Sequence, residues 1–208
     1  MADRSDALQA FVDAAFESFD HFAQDARSRR SIAQIFAALK KPVRQQSGVG
    51  SRLPVCSFLE GALATAAAHP DLKALVGRFE AIEPSLTWTN RPKYDGTASD
   101  NFADGHANAM IVGPHGLEDR KDVWIGVSLL APNVRYPDHH HAPEETYLVL
   151  SQGEFQHGDS PWFSPGIGGS FYNEPGIRHA MRSLDTPLLA FWILLEAIDD
   201  TGGQRGDG

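Results

Sequence analysis

The sequence predicts a mainly β protein preceded by an N-terminal helical region. Three observations carry this. Up to about residue 82 the apolar residues recur at steps of three and four, the period of a helix face. After Glu83-Pro84 the texture changes to short runs punctuated by Gly, Pro, Asn and Asp, which suits a β-sandwich or barrel. The 208 residues are enough to bury one good-sized core, or one core plus a smaller helical unit.

The elements follow in order. Leu8, Phe11, Val12, Ala15, Phe16, Phe19 and Phe22 make one stripe, so a helix is expected over 6–22 with Ser5 or Asp6 as its cap. Ile32, Ile35, Phe36 and Leu39 make a second, over 31–39, stopped by Pro42. Residues 42–53 read as a loop. Val55 to Ala66 gives a third stripe, and Asp71 to Phe79 a short fourth helix after His69-Pro70. Strands are expected at 123–130, 145–150, 171–172 and 188–195, with 90–108 as a surface excursion between strands. The expected organisation is a helical region at 1–82 packed on a barrel at 83–198, then a flexible Gly- and Asp-rich tail at 199–208.

Composition narrows the function. The formal charge of −9 argues against a nucleic-acid partner and, more weakly, against an anionic membrane surface. No run of about 18 apolar residues is present, so no membrane span is expected. The start, Met-Ala-Asp-Arg-Ser-Asp, lacks the pattern of a signal peptide. Cys56 is the single cysteine, which excludes an internal disulfide and suits a reducing interior. The expected location is cytoplasmic.

The informative stretch runs from Tyr136 to Leu150. It holds His139, His140 and His141, then Glu144, Glu145 and Tyr147. Residues two apart on a strand face the same side, so His139, His141, Glu145 and Tyr147 should point inward together while His140 and Glu144 point away. Pro143 can add a bulge that disturbs this parity. A second segment, Gly168 to His179, supplies one more histidine after a turn at Pro175-Gly176. Imidazole with carboxylate suits one divalent transition-metal ion, with zinc, iron, manganese, cobalt and nickel all open. Of the other histidines, His106, His115 and His157 read as surface residues, and His21 and His69 as helix residues without a constellation.

These two segments resemble the paired motifs of the cupin superfamily, which implies a cupin β-barrel (a double-stranded β-helix, or jelly roll) over about 85–195. His139-x-His141, three residues, Glu145 and a later Gly153 match the first motif, and Gly168, Pro175-Gly176 and His179 the second. There are departures at turn positions: Glu174 stands where a proline is usual, Gly153 falls one residue late, and Asn133 replaces an opening glycine. Within the cupins, Tyr136-x-x-His139-x-His141-x-x-x-Glu145-x-Tyr147 followed by His179 is similar to the cupin-type dimethylsulfoniopropionate lyases, which also carry N-terminal helices. The resemblance implies that His139, His141, Glu145 and His179 occupy metal-binding positions, Tyr147 that of the catalytic tyrosine and Tyr136 that of a second active-site tyrosine. It implies a small-molecule substrate, and pairing into a homodimer is open because cupins often pair through sheet edges.

The implied reaction is a β-elimination giving dimethyl sulfide and acrylate. It needs a strong base, and a cation near Tyr147 favours its phenolate. The sulfonium can sit against aromatic faces, with Trp162, Phe171, Tyr172 and Trp192 as candidates. A cupin dioxygenase using iron and oxygen, or a non-catalytic binder, would use the same ligands; a metal-dependent isomerase stays in reserve.

Overall fold

In a computed structural model of the chain, residues 4–195 are described. Four helices come first: α1 (Asp6–Phe22), α2 (Ala26–Leu39), α3 (Leu59–Ala67) and α4 (Lys73–Ile82). Ser5 caps α1 by accepting the N–H of Leu8. Asp25 caps α2 by accepting from Arg27 and Ser28. That cap starts α2 five residues before the sequence stripe does. Its first turn, Arg27-Ser-Arg-Arg30, is polar and so leaves no apolar signal. A short 3-10 turn, Pro54–Phe58, leads into α3.

Among the described residues nine strands follow, with one short helix, α5 (Phe102–Gly105), among them. They are β1 (Trp88–Thr89), β2 (His106–Val112), β3 (Val123–Leu130), β4 (Arg135–His139), β5 (Glu144–Val149), β6 (Glu154–His157), β7 (Ser170–Asn173), β8 (His179–Arg182) and β9 (Leu188–Leu195). The large sheet has the order β1-β2-β3-β9-β5-β7, and a small one the order β4-β8-β6. Every ladder within them is antiparallel.

The large sheet separates two apolar layers. On β9, Leu189, Phe191 and Ile193 face the helices, while Leu188 and Ala190 face the small sheet. Phe191 is the joint of the first layer: its ring lies 5.6 Å from Phe11 of α1 and 5.1 Å from Phe79 of α4. The second layer gathers Phe102, Tyr136, Tyr147, Phe155 and Met181 between the sheets. One alternation therefore builds a helix-packed face and a barrel interior from the same strands. Asn133, in the place of the expected glycine, has φ +59°, a conformation Asn tolerates better than most side chains.

The excursion expected over 90–108 ends earlier. Phe102 and His106 are fully buried, and β2 starts at His106. The tail expected at 199–208 lies outside the described residues. No described helix is long and apolar enough to cross a membrane.

Candidate active site

His139 ends β4 and His179 opens β8, and the two are register partners. Their ring centroids are 4.0 Å apart. β4 and β5 belong to different sheets, and residues 140–143 carry the chain from one to the other. The region 139–147 is thus not one extended strand. The crossing still sets His139, His141, Glu145 and Tyr147 around one cavity and leaves His140 exposed. Glu144 faces the helices, where it is buried and accepts from the Tyr172 hydroxyl at 2.6 Å.

One ligand atom from each of His141, Glu145 and His179 lies within 4.8 Å of the other two. His139 stands outside that set, its ring 6.3 Å from that of His141. The Nδ1 of His139, His141 and His179 lies 2.9, 2.8 and 2.9 Å from the carbonyl oxygens of Pro137, Pro143 and Ile177. Only an N–H can sit there, so each Nε2 is left to the cavity side as a lone pair or a second N–H. The buried Nε2 of His179 has no hydrogen-bond partner, yet it is 3.1 Å from Glu145 Oε2. The Nε2 of His141 is 3.5 Å from the same oxygen. Lone pairs aimed at a buried carboxylate repel, and a proton or a cation resolves the conflict. The donor set, imidazole nitrogens and one carboxylate, fits a divalent transition metal.

The electrostatics agree. Burial works to raise the Glu145 carboxyl, but His141 and His179 outweigh it and hold the group far below the usual range. Burial, with His179 as a like neighbour, pulls His139 down to about 3. Burial also works against a charged His141, but the Glu145 carboxylate prevails and raises it. Tyr147 is pushed well above 10 by burial and by Glu145.

Other residues hold these in place. Asn173 of β7 donates Nδ2 to Glu145 Oε2 at 3.1 Å, and His157 Nδ1 meets Asn173 Oδ1 at 3.0 Å. Tyr147 stacks on Phe171 at 5.1 Å. Across the large sheet, Trp192 Nε1 donates to Ser128 Oγ, which donates to Asn108 Oδ1, and Asn108 Nδ2 reaches the Tyr136 hydroxyl at 3.4 Å. Gly126 makes room for the Trp192 indole, since a Cβ there would come within 2.2 Å of the ring. The cavity itself holds about 520 Å³ and is walled by Met110, Trp124, Trp192 and Leu194 as well as by the polar groups. Of the aromatic candidates, Trp192 lines it. Tyr172 faces helix α2, Trp162 packs against Arg135 and Arg182, and Phe171 stands behind Tyr147.

Several of these were not readable beforehand. His106 is buried, not on the surface, and accepts the Arg91 N–H at 2.7 Å. His115 is exposed at the cavity mouth, and His157 is half-buried behind Asn173. Polar positions in mixed strands give no periodic signal that marks them as facing a site.

Comparison with known proteins agrees with this architecture. The dimethylsulfoniopropionate lyase DddQ of Ruegeria pomeroyi is 26% identical over 186 residues, covering 86% of this chain and 88% of that protein. The crystal structure of DMSP lyase DddQ from Ruegeria pomeroyi DSS-3 superposes with a TM-score of 0.66 at 23% identity, over 94% of both chains. A structure reported under the DMSP lyases RdDddP and RnDddQII gives 0.68 at 21% identity, over 92% of this chain and 93% of that one. These likenesses establish helices followed by a cupin barrel. The sequence model of the dimethylsulfoniopropionate lyases matches residues 27–190, from the second helix to the last strand, and so the chain belongs to that family of carbon–sulfur lyases.

Proposed function

We propose that this chain cleaves dimethylsulfoniopropionate to dimethyl sulfide and acrylate by β-elimination. His141, Glu145, His179 and His139 would hold a divalent metal ion, and Tyr147 would act as base. The observation that carries this is the set of three imidazoles, each with Nδ1 on a backbone carbonyl and Nε2 left over, beside a buried carboxylate, with two phenols in the same cavity.

A divalent cation bound there supplies positive charge that offsets the substrate carboxylate and favours ionisation of a nearby phenol. The chain's residues do the rest. Tyr147 takes the proton from the carbon next to the carboxylate. The electron pair left on that carbon forms the double bond as the bond to sulfur breaks. Tyr136 accepts from Asn108, which leaves its own O–H to orient the substrate. Trp192, its N–H tied to Ser128, presents indole to the sulfonium. The walls of Met110, Trp124 and Leu194 keep water from the departing sulfide.

The test is headspace detection of dimethyl sulfide from dimethylsulfoniopropionate, with metal-loaded protein under anaerobic conditions. Wild type should release it without oxygen. Tyr147→Phe should keep its metal and lose about 10²- to 10⁴-fold in turnover. No sulfide from metal-loaded wild type overturns the reading, and wild-type turnover in Tyr147→Phe moves the base elsewhere.

A further inference from the structure

We propose that Arg91 is the carboxylate-recognising residue of this cavity, so that the site selects short acids carrying a full negative charge over their neutral analogues. For the identity of the acid it rests on the functional reading above; for the anion it rests on the arrangement of Arg91 itself.

Among the described residues Arg91 is the one arginine or lysine lining the cavity. Its guanidinium stands over the Tyr136 ring at 6.0 Å. Most comparable arginines are paired: Arg4 with Glu118, Arg52 with Glu83, Arg120 with Asp122, Arg135 with Asp138 and Arg182 with Glu154. Among the described residues Arg91 has no carboxylate partner. Its Nε donates to the carbonyl of Lys93 at 3.0 Å, and that is the single hydrogen bond of the guanidinium. The two Nη groups, which form the prongs of the fork that grips carboxylates, are left without a protein acceptor.

The arginine is also held at its root. Its backbone N–H donates to His106 Nε2 at 2.7 Å. His106 is itself fixed, with Nδ1 against the Phe102 carbonyl and its ring stacked on Phe102 at 3.7 Å and 7°. Burial keeps this imidazole neutral, so Nε2 stays an acceptor. A side chain anchored at its backbone and at Nε, with its prongs free, is preorganised for an anion.

Position gives the third argument. Arg91 lines the same cavity as His139, His141, Glu145 and Tyr147, so an acid held there by its carboxylate lies among those residues. The sulfonium end is then left to the apolar wall of Trp124, Trp192 and Met110.

The test measures binding of propionate, and of neutral propionamide as control, to metal-loaded protein by calorimetry. Wild type should bind propionate and discriminate against propionamide. Arg91→Gln should weaken propionate about tenfold, and Arg91→Lys should recover part of the loss as a point charge without the fork. Metal content and melting temperature should not move, because the side chain is half-exposed and bonds one carbonyl. With dimethylsulfoniopropionate, KM should rise in Arg91→Gln while kcat changes little. A loss of propionate binding smaller than about threefold in Arg91→Gln overturns the proposal, as does wild type that binds no propionate or does not discriminate. If propionate binding falls in the variant but wild type releases no dimethyl sulfide, the anion site stands and the substrate reading fails alone.

Discussion

His139, His141 and His179 each place Nδ1 on a carbonyl two residues away in the chain, and this local bond orients all three rings. A metal needs the neutral imidazole, so it competes with a proton for Nε2. His141 is raised above 6.5 by Glu145, whereas Glu145 stays ionised because its own pKa is depressed. Metal affinity should therefore climb as pH rises through the His141 value and level off above it. Chelator competition from about pH 6 to 9 checks this, and an affinity flat across that range contradicts it. Asn173→Ala should remove the bond that aims Glu145 and weaken metal binding about tenfold without unfolding the chain. The ligand-type residues were legible because histidine and glutamate at strand spacing are rare and purposeful. Asn173, Asn108, Ser128 and Arg91 were not, since each is an ordinary polar residue until the fold brings it from a distant strand.

The strands show where periodicity succeeds and fails. β3 and β9, eight residues each and apolar on both faces, match their expected ranges, and so does α1 with its full stripe. β6 and β8 have four residues of mixed character, too few for an alternation to stand out. β4 was hidden differently: it runs toward β5 in sequence but leaves for another sheet. Helix α2, β5, β7 and the turn after β7 are tied by polar contacts that the sequence does not announce. Tyr172 donates to Glu144, Arg30 pairs with Glu144 at 3.2 Å, and Arg27 pairs with Glu174, the residue standing at a turn position where proline is usual. Burial and the bond to Glu144 push the Tyr172 phenol up to about 12. Tyr172→Phe should cost about 1–2 kcal/mol in urea unfolding and leave metal content unchanged. Arg30→Ala should cost no more than about 0.5 kcal/mol, because its guanidinium is mostly in water.

At the scale of the molecule, helices and barrel share the layer around Phe191. Phe191→Ala should cost about 3–5 kcal/mol. Calorimetry should then show one transition shifted down; two separated transitions would mean that residues 4–82 and 83–195 unfold independently. That the helices lie on the sheet face opposite the cavity was not legible, because a stripe records that a helix face is buried and not what it is buried against.

The crossing at 140–143 has a consequence beyond placing side chains. His139 and His179 are supplied by the small sheet, Glu145 by the large one, and His141 by the link between them. An ion gripped by this set would be a clasp fastening the two halves of the barrel at its rim. Its loss would be felt as a loosened mouth as well as an idle centre, so that cofactor occupancy and the shape offered to substrate rise and fall together.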